Sequence, residues 1–256
     1  MSILTIKPDS NAAIGKLVPV GGLTRGIASV GAAVSSAYAT PNIVNNASFE
    51  TGWDGFTNGS GGTPTGMTRS TAWAYAGATC IRSAWNNNGG DQSASVFYDA
   101  GTITHVWARC WYRVTTAWPN GGGFKFFRFQ NVGFGDLIGV QYLNEHLTMI
   151  VQLGGQISAC YFSGVSGETV GVDHSLEFEI DNSTRQIRAW VDGTAVNWSE
   201  YSDTAGLTSI SGTTITYSSS FVPKWLDICR VINPTTNSGA MNVDRVAIST
   251  AGRIGP

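Results

Sequence analysis

Between His105 and Arg113 the run HVWARCWYR places five side chains suited to recognition at alternate positions: His105, Trp107, Arg109, Trp111 and Arg113. The residues between and after them, Val106, Ala108, Cys110, Tyr112 and Val114, form a set that can pack into a core. Because side chains alternate across a strand, this spacing predicts one packed face and one wet face of indoles and guanidiniums. Flat apolar platforms beside forked hydrogen-bond donors suit a sugar or an acidic polymer. These five residues are therefore the candidate ligand-binding set. The competing expectation is that a loop, an N-terminal arm or a second sheet covers the face, with cations stacked on rings inside it.

A second stretch carries paired carboxylates. In LEFEIDNSTRQIRAWVDG, beginning at Leu176, the side chains of Leu176, Phe178 and Ile180 point one way and those of Glu177, Glu179 and Asp181 the other. After an Asp-Asn-Ser-Thr turn, Ile187, Ala189 and Val191 resume the core face, while Arg188, Trp190 and Asp192 face out. This predicts a hairpin whose carboxylates meet Arg188 across the strands. Two carboxylates are also what glycoside hydrolysis needs. An E-x-E-x-D run is equally the mark of any solvated strand, and a general acid needs burial or a like-charged neighbour to keep its proton. No complete catalytic motif is present, so no residue is assigned a catalytic role, and no motif calls for a cofactor.

The elements that must position these residues are short strands. The chain has 256 residues, only 12% of them charged, and 32 glycines. That balance favours strands and turns over charge-laced helices. Beyond Pro41, β-branched and aromatic runs alternate with Gly, Asn, Asp, Ser and Thr clusters at sandwich spacing. Strands are expected over 43–49, 79–84, 94–99, 103–115, 124–130, 137–143, 146–153, 157–162, 174–181, 186–192, 213–217, 225–232 and 242–249. The expected fold is all-β, a two-sheet antiparallel jelly-roll sandwich over residues 41–256. Residues 1–40 lack helical or sheet periodicity and read as an extended N-terminal arm. Its small-residue stretch ends in Ala37-Tyr38-Ala39, which fits a signal-peptidase rule, but Gly21, Gly22, Arg25, Gly26 and Gly31 break the apolar run. The arm is therefore read as retained and held in place by other subunits of an assembly.

A net charge of −2 gives no electrostatic case for nucleic acid. No apolar run reaches the length of a membrane span. Cys80, Cys110, Cys160 and Cys229 are widely spaced, with no CxxC pair. They read as buried thiols, with one or two disulfides as the alternative in an exported protein.

Three segments resemble the concanavalin A-like lectin/glucanase superfamily, including laminin-G-like modules and jelly-roll polysaccharide lyases. They are SFETGWD from Ser48, AWVDG from Ala189, and VDRVAIST from Val243 with the closing Arg253-Ile254-Gly255. The resemblance spans about residues 42–255 and implies fold more than activity. Lyase members carry R-x-E-x-R, Q-x-H and Y-x-K-x-G-x-Y strands. Here Arg109, Arg113, Lys125 and Arg128 echo the first only, and a calcium site of the kind some relatives hold in their loops is not assignable to particular residues. Three functions remain open. One is a non-enzymatic structural or attachment protein of a virion surface or other extracellular setting, such as a capsid-decoration protein. The second is a lectin-like module that binds polysaccharide. The third is a lyase on a uronate polymer, with His105 as base and Arg109 or Arg113 neutralising the carboxylate. Deleting residues 2–38 tests the arm: the β domain should stay folded, while incorporation into an assembly should be lost.

Overall fold

A computed structural model describes residues 38–58, 67–85, 95–116, 118, 123–143, 145–200, 206–232 and 238–256. The expected arm, apart from residues 38–40, lies outside them. Among the described residues the strands in chain order are β1 (Val44–Ala47), β2 (Thr68–Ser70), β3 (Cys80–Trp85), β4 (Val96–Asp99), β5 (His105–Val114) and β6 (Gly123–Gln130). There follow β7 (Leu137–Leu143), β8 (His146–Leu153), β9 (Gln156–Ser163), β10 (His174–Asp181), β11 (Gln186–Val191) and β12 (Thr194–Ala195). The chain closes with β13 (Asn197–Glu200), β14 (Leu207–Ser211), β15 (Thr214–Tyr217), β16 (Trp225–Ile232) and β17 (Gly239–Ser249).

Every run read as a strand from the sequence is one, with ends displaced by a few residues. The strands missed are β2, β12, β13 and β14. β2 (Thr-Arg-Ser) and β14 (Leu-Thr-Ser-Ile-Ser) are edge strands in which no residue is fully buried. Such strands carry no apolar alternation to detect. No helix among the described residues is long and apolar enough to cross a membrane.

The strands form two antiparallel sheets. The larger runs β14-β15-β11-β10-β5-β17-β3-β2, with β1 beside β17 and β12 beside β11. The smaller runs β13-β9-β8-β7-β6-β16-β4. Strand β5 sits between β10 and β17, far from either edge, so its two faces differ most in environment. Its even-numbered residues are buried among Leu176, Phe178 and Ile180 of β10 and Phe126, Phe127 and Phe129 of β6. Phe127 meets Phe178 edge-on at 5.5 Å and Phe129 does so at 5.9 Å, the arrangement that aromatic quadrupoles favour. All four cysteines are buried and none is in a disulfide, with Cys110, Cys160 and Cys229 in this core.

Two local irregularities shape what the sheets present. In β17 the pairing with β5 slips between Asp244 and Ala247, and Arg245 takes φ 50°. This bulge keeps Val243 and Val246 both inside although they are three positions apart, and it turns Arg245 outward. At the end of β11, Asp192 and Gly193 both have positive φ, as a tight turn into β12 requires.

On the outer face of the smaller sheet Arg128 and Gln130 both donate to the buried Asp227. Gly139 lies opposite Arg128, and a Cβ there would stand 2.0 Å from the Arg128 Cβ. Replacing Gly139 by Ala should therefore destabilise the protein by roughly 1–3 kcal/mol through overpacking, as read by urea unfolding.

Candidate functional site

The outer face of the larger sheet is laid out by strand register. From one end, His105 lies level with Asp181, and Trp107 is level with Glu179 and Arg188. Arg109 follows beside Glu177 and Trp190, then Trp111 between Ser175 and Asp244, then Arg113 beside Asn242. The five predicted residues thus share one face of one strand. They do not form one open surface.

The centre of the face is covered by the C-terminal segment, residues 250–256, which folds back over the sheet. Glu177 holds it there. Its carboxylate accepts the backbone amides of Ile254 and Gly255 and faces the Arg253 guanidinium at 3.3 Å. Arg253 lies over the Trp190 ring at 4.4 Å and over the Tyr38 ring at 5.2 Å, so two aromatic faces flank one cation. Tyr38 packs so closely on Gly255, at φ 80°, that a Cβ there would fall 2.5 Å from its ring. Arg109 is buried, 6% exposed, and donates to the Gly255 carbonyl and to Asn46. The expectation of a wet face is therefore corrected at its centre. Glu177 and Arg109 are buried because the residues after β17 supply a cover that strand alternation cannot reveal, and Glu179 is buried beside His105 and Arg188.

This cover divides the face in two. At one end His105 Nε2 sits 2.8 Å from Glu179, which also pairs with Arg188 at 3.1 Å. The His105 ring lies 4.0 Å from that of the half-buried Trp107. At the other end Tyr75 stacks on Trp111, with ring centroids 3.5 Å apart and planes within 7°. Arg113 pairs with Asp173, which also accepts the Trp73 indole N–H.

Tyr75 comes from the loop between β2 and β3, and that loop is tied down at several points. Asp244 accepts the Ala76 amide, Glu50 accepts those of Ala78 and Thr79, and Arg69 donates to the carbonyls of Phe49 and Glu50. Between this platform and the C-terminal segment lies a groove of about 260 Å³, lined by Asn46, Tyr75, Arg109, Trp111, Arg245 and Pro256. The sequence reading missed Tyr75, Asn46, Pro256 and Arg245. For Arg245 a signal existed, since Val243, Val246 and Ile248 break the two-residue alternation where the bulge occurs. For the others no signal existed, because contacts between distant loops set them.

The residues that echo lyase strands do not converge. Arg128 and Lys125 belong to β6 in the other sheet. His105 and Arg109, four residues apart on one strand, are about 13 Å apart along it. Tyr112 is in the core, donating its hydroxyl to the Gly167 carbonyl, and burial pushes its pKa well up. Among the described residues no three His, Cys, Asp or Glu side chains gather as a metal site.

No family model matches the chain, and no curated protein matches it. Solved structures share the fold. A cellulose-induced protein, Cip1, superposes with a TM-score of 0.58 at 16% identity, over 82% of this chain and 99% of that one. A sialidase gives 0.51 at 9% identity, over 84% of this chain and 19% of its own. The receptor-binding domain of botulinum neurotoxin type G gives 0.51 at 10%, over 82% of this chain and 48% of that one. These likenesses show the fold: an all-β, two-sheet jelly-roll sandwich.

Burial raises the Glu177 carboxyl above its ordinary range, although the Ile254 and Gly255 amides and Arg253 pull the other way. Glu177→Ala should cost about 1–3 kcal/mol in urea unfolding for each buried amide, Ile254 and Gly255, left without its acceptor. It should also open residues 250–256 to protease. The folded state holds the Glu177 proton more tightly than the unfolded chain, so the stability linked to that proton is complete below the unfolded pKa and is lost as pH rises through the folded one. Wild type should lose ground to Glu177→Gln as pH rises above the ordinary carboxylate range.

Proposed function

We propose that this domain is a carbohydrate-binding module of the concanavalin A-like kind, taking a saccharide in the groove beside Tyr75. The observation that carries the reading is the Tyr75–Trp111 stack. Tyr75 remains 43% exposed, while Trp111 beneath it fixes the plane of its ring. An exposed aromatic ring held rigid presents an apolar face to the C–H face of a sugar at little entropic cost on binding. The Asn46 and Arg245 side chains beside it offer polar partners for hydroxyl groups. Two of the similar folds come from proteins whose names point to glycans, the cellulose-induced protein and the sialidase. His105, Trp107 and Arg113 extend the same face on either side and form its outer reach.

The alternative as a virion decoration protein, with other protein subunits as partners, draws no support from the fold or from the groove. A lyase needs a base and a neutralising cation at one sugar, and the separation of His105 from Arg109 does not favour it.

Isothermal titration against a panel of oligosaccharides tests the proposal. Tyr75→Ala should weaken binding at least tenfold, about 1.4 kcal/mol, while leaving the melting temperature nearly unchanged. Failure of the wild-type protein to bind any saccharide, or binding indifferent to Tyr75→Ala and Trp111→Ala, would overturn the reading.

A further inference from the structure

We infer that the groove selects anionic saccharides, with Arg109 and Arg245 facing a carboxylate or sulfate on the sugar that stacks against Tyr75; this rests on the saccharide-binding reading of the same groove. The groove lining contains two guanidinium groups and no acidic side chain. Neither guanidinium makes a contacting ion pair with a carboxylate among the described residues, although Glu177 acts on Arg109, and Asp244 and Glu50 act on Arg245, through their charge. Arg109 is buried, yet its two hydrogen bonds go to neutral oxygens, the Gly255 carbonyl and the Asn46 side-chain oxygen. Its Nε, also buried, has no partner. The Arg245 side chain makes no hydrogen bond or ion pair among the described residues, and the bulge in β17 holds its backbone in the left-handed region.

The oxygens of the nearby carboxylates are hydrogen-bonded elsewhere, so these groups support the two cations by their charge without contacting them. Glu177, opposite Arg109 in the register, accepts two backbone amides and Arg253. Asp244 accepts the amides of Ala76 and Arg245, and Glu50 those of Ala78 and Thr79. Burial works against the charge on Arg109; the Glu177 carboxylate supports that charge, and the Arg245 charge opposes it. Unpaired cations brought together at a concave site cost free energy unless something opposes them. An oxyanion between them relieves the repulsion and gains charge-assisted hydrogen bonds, which a neutral hydroxyl does not provide to the same degree. The stacked ring fixes the sugar plane, and the guanidiniums then read what projects from its edge.

The test compares oligouronates, sulfated oligosaccharides and neutral cello-oligosaccharides of equal length by titration calorimetry at low and high salt. In wild type, one acidic class should bind at least tenfold more tightly than the neutral chain, and the gap should shrink as salt is added. Whichever acidic class shows the gap identifies the anion. Arg245→Gln should bring the acidic-to-neutral ratio close to one, and Arg245→Lys should restore part of it. Tyr75→Ala should weaken all classes alike and leave the ratio in place. Neutral chains binding as tightly as acidic ones would overturn this inference while sparing the saccharide reading. So would an unchanged ratio in both folded Arg245 variants. Absence of binding to every class would remove both.

Discussion

The buried carboxylate of Glu177 is the contact on which the recognition face depends. An ionised side chain in the middle of a sheet face is costly unless donors surround it, and strand β10 supplies none on that side. The donors come instead from the end of the chain: the amides of Ile254 and Gly255 and the guanidinium of Arg253. Satisfying this one group therefore pulls residues 250–256 across the sheet. The tail then brings the Gly255 carbonyl to Arg109 and Pro256 to the rim of the groove.

The cover is itself locked from above. Tyr38 lies on Arg253 and on Gly255, and Ala39 donates its amide to the Arg253 carbonyl. Arg253 thus sits between Trp190 of the sheet and Tyr38, with one edge on Glu177. Glycine is required at 255 because a side chain would occupy the space of the Tyr38 ring. A carboxylate, a cation and two rings, with the buried Ile254, account for why this short segment lies on a sheet rather than in solvent.

Recognition is built on the part the tail leaves open. The scaffold below is rigid, since the even-numbered side chains of β5 are packed between sheets by interlocking phenylalanines. The loop carrying Tyr75 borrows that rigidity through Asp244 of β17 and Glu50 of the segment after β1. Those carboxylates hold the loop through their oxygens, so they act on Arg245 through their charge alone and leave its guanidinium N–H groups to the groove.

The sequence by itself determined the architecture: which runs are strands, which residues face the core, and that both sheets are antiparallel. Alternation of apolar and polar residues is a local signal, read over a few positions, and burial enforces it because a one-residue slip would expose a whole face. It also placed His105, Trp107, Arg109, Trp111 and Arg113 on one face, and the resemblance marked Arg253-Ile254-Gly255 as part of the fold without saying why. Only the tertiary structure decided which parts of that face meet water. Alternation states that a side chain points away from the core, not what lies beyond it. The cover over Arg109 comes from residues some 146 positions further along the chain, and the ring on Trp111 comes from a loop before β3. Those contacts join segments whose separation in sequence carries no period, so they are settled by hydrogen-bond demand and shape once the sheets have formed.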